Sequence, residues 1–250
     1  MRFHGKVAMV TGGAKGIGAA IGGAFAREGA RVALLDVDGP ALEALVRALE
    51  RQGGQVLGLR ADVTCPGEVE AAVEAIRARW GPVEVLVNNC GGFSTIRPTE
   101  EIPDDEWDAV LRINLTSAFL CTKAVLPSMK ERRWGRIVNF SSIGGRGGLL
   151  LLCSHYAAAK AAILGFTRHV ALEVAEFGIT ANAVAPGTVA TERFTALRSA
   201  AETEALAARV PLKRVADPAE IAQYVLFLAS DAAAYMTGAC MDVNGGVLMV

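Results

Sequence analysis

Tyr156 and Lys160 stand in Tyr156-Ala-Ala-Ala-Lys160, a spacing that puts a phenol and an ammonium on one face of a helix. Together they can make a base. A phenol of ordinary pKa about 10 must fall by roughly three units to accept a proton near neutrality, which takes about 4 kcal/mol of differential stabilisation. A lysine charge about 4 Å away supplies a similar amount at an effective dielectric of about 20. On its own a Tyr-x-x-x-Lys is ordinarily a half-buried tyrosine beside a solvated lysine, so its meaning depends on the surrounding elements.

The apolar run Val7 to Val10 leads into Thr11-Gly12-Gly13-Ala14-Lys15-Gly16-Ile17-Gly18, and the helix-like stretch Ala19 to Glu28 follows. Strand, glycine turn and helix N-terminus in that order let the backbone approach a pyrophosphate, whose charge is stabilised by free N–H groups and the positive end of the helix dipole. A second strand, Arg31 to Asp36, ends in a carboxylate where a dinucleotide-binding unit places its ribose ligand. The expected ligand is therefore a dinucleotide, with Gly12, Lys15, Gly16, Ile17, Gly18 and Asp36 around it.

The elements that must hold these groups follow from the periodicity. Strands are expected at Val7 to Val10, Arg31 to Asp36, Gln55 to Arg60, Val83 to Asn88, Arg136 to Phe140, Thr180 to Ala185 and Cys240 to Val243. Helical patterns fall at Ala41 to Arg51, Gly67 to Trp80, Pro103 to Arg133, Tyr156 to Phe177 and Pro218 to Ser230. The last opens on Asp217-Pro218-Ala219-Glu220, a cap, a first-turn proline and a returning carboxylate. The pattern predicts an α/β fold, a Rossmann-type, doubly wound parallel sheet with helices on both faces, as one domain over 1–250.

With 250 residues, 52% of them hydrophobic, and a net charge of −1, the chain can build one large core and has no basic stretch for nucleic acid or an anionic membrane. Neither partner is expected. The N-terminal segment reaches its glycine turn and Lys15 too soon for a signal peptide, and Leu149 to Leu152 is far shorter than a membrane span, so a cytoplasmic location is expected. Cys65, Cys90, Cys121, Cys153 and Cys240 are scattered, without metal or redox spacing, and no metal is expected. Of the histidines only His155 adjoins the chemistry, where a neutral packing role is expected.

In this order the motifs resemble the short-chain dehydrogenase/reductase family over essentially the whole length. The family's Thr-Gly-x-x-x-Gly-x-Gly turn is met by Thr11 to Gly18, its Asp-Val pair by Asp62-Val63, and its Asn-Asn-Ala-Gly strand end by Asn88-Asn89-Cys90-Gly91. The helix asparagine matches Asn114, the active-site serine Ser142, and the Pro-Gly motif Pro186-Gly187-Thr-Val189-Ala-Thr191. The resemblance implies reversible hydride transfer between a nicotinamide and a secondary alcohol or ketone, the small-molecule substrate. Tyr156 would be the acid/base, Lys160 would lower its pKa and hold the nicotinamide ribose, Ser142 would bond the reacting oxygen, and Asn114 would hold a water on the proton path. It further implies adenine near Asp62 and Val63, and the nicotinamide end near Asn89, Gly91, Pro186, Gly187 and Val189, with Thr191 on its amide. Thr191 reads equally well as a helix cap. Cys90 stands where the family has alanine. Ser142 rather than Ser141 is chosen because Gly145 follows it by three residues, which leaves Ser141 a structural role.

Asp36 repels a 2′-phosphate and Lys15 attracts one; the carboxylate lies in the ribose site itself, so NAD(H) is expected to be preferred over NADP(H). Leu149 to Cys153 and Phe194 to Val210 are expected to border an apolar pocket for a hydrophobic or cyclic substrate. The alternative is a 3-oxoacyl-(acyl-carrier-protein) reductase with the opposite cofactor preference, for which Lys130, Arg132, Arg133 and Arg136 form the one basic cluster able to dock an acidic carrier. A non-catalytic dinucleotide sensor would have no need of Ser142, Tyr156 and Lys160. Helices over Asp105 to Lys130 and Tyr156 to Ala175 are apolar around most of their circumference, which predicts a homo-oligomer, and the family resemblance implies a homotetramer.

Overall fold

Each strand is short, β-branched and bounded by turn residues, and seven of them pair into one parallel sheet. They are β1 (Val7–Thr11), β2 (Arg31–Asp36), β3 (Gln55–Arg60), β4 (Val85–Asn88), β5 (Gly135–Phe140), β6 (Ile179–Pro186) and β7 (Cys240–Val243), in the order β3-β2-β1-β4-β5-β6-β7. The structure, a computed structural model, describes residues 1–147, 152–196 and 199–249. β1, β4, β5 and β6 are buried along their whole length, as a sheet covered on both faces requires.

Among the described residues the helices are α1 (Gly16–Arg27), α2 (Gly39–Arg51), α3 (Pro66–Trp80), α4 (Asp104–Leu111), α5 (Ser117–Arg132), α6 (Ser154–Val174), α7 (Glu192–Ala196), α8 (Ala200–Arg209) and α9 (Pro218–Ala229). One core, with Val10, Ile21, Phe25, Leu34 and Val225, lies under α1, α2 and α9; the other, with Met9, Leu86, Val125, Met129 and Ile179, lies under α3, α5 and α6. The doubly wound expectation holds. The crossover after β1 runs left in the sheet order and that after β4 runs right, so a crevice opens at the carboxyl ends of β1 and β4.

The helix expected over Pro103 to Arg133 runs without a gap over Asp104–Arg132. A π-type turn at Arg112–Thr116 separates α4 from α5 and carries Asn114. Asp104–Arg132 is by length and composition apolar enough to cross a membrane, yet Val110, Ala118, Cys121, Val125 and Met129 are buried in the fold. The α8 helix, folded into the expected substrate-bordering segment, has the Ser199/Glu202 capping box that marks its start.

Candidate active site

The glycine turn is held from below by side chains of the neighbouring strand. Asn89 Nδ2 donates to Thr11 O at 2.9 Å and Gly12 O at 3.1 Å, while Thr11 Oγ1 accepts the N–H groups of Asn89 and Cys90 at 3.1 and 3.0 Å. Gly18 cannot be replaced cheaply, because a Cβ there would lie 2.0 Å from Gly12 O. The result is a tight backbone cradle at the N-terminus of α1, which fits the diphosphate of a dinucleotide.

Asp36 ends β2 and is fixed by two backbone donors, with Oδ2 accepting Ala14 N–H and Oδ1 accepting Asp38 N–H, both at 3.0 Å. Each oxygen keeps a lone pair for a ribose hydroxyl. Lys15 is already paired: its Nζ donates to Asp38 Oδ2 at 2.6 Å, while Asp38 Oδ1 caps α2 through Ala41 N–H. That hydrogen bond raises the Lys15 pKa and lowers that of Asp38.

α6 brings Tyr156 and Lys160 to the same crevice. Lys160 is buried, with Nζ 2.8 Å from Phe140 O and 5.7 Å from the centre of the Tyr156 ring. Burial pushes its ammonium down to about 8. Ser142 Oγ accepts Gly144 N–H at 3.2 Å. Ser141 Oγ donates to Lys160 O at 2.7 Å, tying the end of β5 to α6. Both serines line the cleft. The Phe93 ring packs on the Tyr156 ring at 4.7 Å.

His155 is fully buried and bonded rather than idle. Its Nδ1 accepts Tyr156 N–H at 2.7 Å, which leaves Nε2 to donate to Glu106 Oε1 at 3.2 Å; Glu106 also meets Arg97 at 3.2 Å. Cys153 Sγ accepts Arg97 N–H and donates to Thr95 O. The segment after β4 is stitched in this way to the first turn of α6.

A cleft of about 550 Å³ is lined by Gly12, Lys15, Gly16, Ile17, Asp36, Asn89, Gly91, Ser142, Tyr156, Lys160, Pro186, Gly187, Val189 and Thr191. Thr191 also caps α7, its Oγ1 accepting Phe194 N–H at 3.2 Å. Asn114 lies just behind the wall. Its amide is committed to backbone, accepting Gly92 N–H at 2.9 Å and donating to Gly92 O and Val110 O, both at 2.8 Å. A Cβ on Gly91 would lie 2.5 Å from Asn114 Oδ1 and 3.0 Å from Lys160 Nζ, so only glycine passes between them.

Asp62 and Val63 are not among the lining residues. The Asp62 carboxylate accepts the N–H and hydroxyl of Thr64 at 2.9 and 2.7 Å, which lowers its pKa, and Val63 is buried. Val37, Cys90, Ile113, Phe140 and Glu192 line the cleft without having been singled out as ligands. Position beside a recognised motif was the available signal for each. Burial pushes the Cys90 thiol up to about 11, so it is an uncharged filler. Leu149 to Leu151 lie outside the described residues; Leu152 packs where a Cβ on Gly144 would fall, 2.4 Å away.

The basic cluster stands at the wrong end of the sheet to serve the cleft. Lys130 and Arg133 lie over the Phe177 ring, and buried Arg136 stacks on Trp134 at the start of β5. Ser142 follows the other end, roughly 15–20 Å away along the six residues of the strand.

A family model described as enoyl-(acyl carrier protein) reductase matches residues 12–248. The 3-oxoacyl-[acyl-carrier-protein] reductase of Escherichia coli K12 is 41% identical over 253 residues, covering 100% of both chains. That of Vibrio cholerae is 42% identical over 250 residues, again with 100% of both covered. Among solved structures, actinorhodin polyketide ketoreductase with NADPH superposes with a TM-score of 0.93 at 38% identity over 97% of each chain. Levodione reductase gives 0.93 at 36% identity over 98% of each.

Proposed function

The chain belongs to the short-chain dehydrogenase/reductase family, an NAD(P)-dependent oxidoreductase acting on a ketone or alcohol, and from that premise we propose that it reduces 3-oxoacyl thioesters with NADH. The observation that carries the chemistry is the meeting of Ser142, Tyr156 and Lys160 in one cleft with the glycine turn. The substrate class is supported by the relatives that share its full length and bear that activity in their names.

The nicotinamide, when bound, supplies the hydride. The protein's part is to place the carbonyl and move a proton. Ser142 Oγ, with one lone pair on Gly144 N–H, turns its own proton toward the substrate oxygen. The Tyr156 hydroxyl gives that oxygen its proton in reduction, or accepts it in the reverse direction. The Lys160 ammonium stabilises the resulting phenolate, and Asn114 holds the Gly91–Gly92 backbone that walls the lysine in. Asp36 and the Gly12–Gly18 turn hold the dinucleotide.

NADH is proposed over NADPH because Asp36 faces the ribose position and Asp38 neutralises Lys15. The NADPH of the actinorhodin structure supports the opposite choice for that protein. Initial rates with acetoacetyl thioester, with alicyclic ketones and with each cofactor test both choices. The expected result is the highest kcat/KM for the thioester with NADH, and higher kcat/KM with NADPH would reverse the cofactor assignment.

A second substrate reading, a hydrophobic cyclic ketone, is supported by the likeness to levodione reductase and by the remoteness of the basic cluster from the cleft. A higher kcat/KM for an alicyclic ketone than for the thioester would favour it.

We also propose a homotetramer. Phe119 and Leu172 on α5 and α6, and Tyr235 and Met249 near the C-terminus, are exposed apolar side chains. A monomer by light scattering at micromolar concentration would contradict it.

A further inference from the structure

Glu192 opens α7, immediately after the Pro-Gly motif, and its Oε2 accepts the N–H of Gly16 at 3.0 Å. That N–H belongs to the first residue of α1. It is one of the donors that a helix N-terminus leaves without an intrahelical partner, at the positive end of the dipole, in the turn that serves a diphosphate. The contact is close-packed as well as polar: a Cβ on Gly16 would lie 3.1 Å from Thr191 Cγ2 and 3.6 Å from Glu192 Oε2. Asp36, Asp38 and Glu192 all act electrostatically on Lys15, which Asp38 already pairs. A diphosphate entering this turn meets a carboxylate on a donor it needs.

We propose that Glu192 is an internal anion of the cofactor site, bonded to the glycine turn until the dinucleotide's diphosphate displaces it. The inference rests on the turn as the dinucleotide's phosphate site and is independent of the choice between NADH and NADPH. Two consequences follow from the geometry. Glu192 weakens dinucleotide binding by competing for Gly16 N–H, and its departure releases the start of α7 from the turn, which links the segment after the Pro-Gly motif to cofactor occupancy.

The test is isothermal titration of the full-length protein with ADP-ribose, which has the diphosphate but neither nicotinamide nor 2′-phosphate, and with adenosine, which has no phosphate. Glu192→Gln removes the charge and keeps the side-chain size; Glu192→Ala removes both. Both variants are expected to bind ADP-ribose about tenfold more tightly than the wild type, with adenosine affinity unchanged. Unchanged or weaker ADP-ribose binding in the two variants would overturn the proposal. So would an equal gain for adenosine, which would place the effect away from the diphosphate.

Discussion

Two buried polar clusters lie along β4, β5 and α6, and they differ in how their groups are satisfied. In the lower one, Asn88 Nδ2 donates to Asn139 Oδ1 at 2.8 Å and to Thr122 Oγ1 at 3.1 Å, and Asn139 Nδ2 donates to Thr167 Oγ1 at 2.9 Å. These groups are neutral, and only Asn88 Oδ1 lacks a partner among the described residues. In the upper one, at the strand ends, a buried ammonium has Phe140 O as its hydrogen-bond partner. The first cluster costs little to bury because its hydrogen bonds replace those to water. The second keeps a charge in a desolvated place, which is destabilising and useful only where a negative charge must later form beside it.

The largest expected effect comes from removing the proton carrier of the upper cluster. Tyr156→Phe should lower kcat by about 10²–10⁴-fold, the range of general acid/base catalysis, while NADH binding changes by less than about threefold. Retained turnover would move the acid/base elsewhere. Removing an amide from the lower cluster should do the reverse. Asn139→Ala leaves Asn88 and Thr167 short of a partner and should lower unfolding stability by about 2 kcal/mol in urea titration, with kcat of the folded enzyme nearly unchanged. A large kcat loss there would show that the two clusters are not separable.

The same contrast governs what could be read from the residues. Strands and glycine turn were legible because periodicity and glycine spacing act locally, and β2, β3 and β7 fall on the expected bounds. The π-type turn at Arg112–Thr116 was not, because it accompanies a tertiary bond: Asn114 reaches across to the Gly92 backbone. Asp62 matched a motif, yet it lies outside the cleft lining and its Oδ1 holds Thr64 two residues on. His155 looked inert because nothing in sequence pairs it with Glu106, 49 positions away. The Ser199/Glu202 box did mark α8 and went unread within a longer segment.

Smaller effects sharpen the comparison at the edges of the upper cluster. Asp36→Ala should shift the ratio of NADH to NADPH kcat/KM by about tenfold, or about 1.4 kcal/mol, chiefly by improving NADPH. If NADPH gains nothing, the carboxylate is holding only the backbone of Ala14 and Asp38. Cys90→Ala removes a neutral, partly buried thiol at the cleft wall and should change stability by less than about 1 kcal/mol and leave kcat within about twofold.

The claim that Lys160 is held charged at a cost to the fold is tested most directly by Lys160→Met in urea unfolding at two pH values. The folded pKa, about 8, lies below the ordinary 10.5, so the unfolded chain holds the proton over an interval where the native protein has lost it. Wild-type stability should therefore rise through this group by about 1.4 kcal/mol per pH unit between about 8 and 10.5. At pH 7 the methionine variant should be inactive yet more stable than the wild type by about 2 kcal/mol, even without the bond to Phe140 O. That advantage should shrink by about 1 kcal/mol at pH 9. A variant less stable than the wild type at pH 7, or an advantage that does not change with pH, would contradict the account.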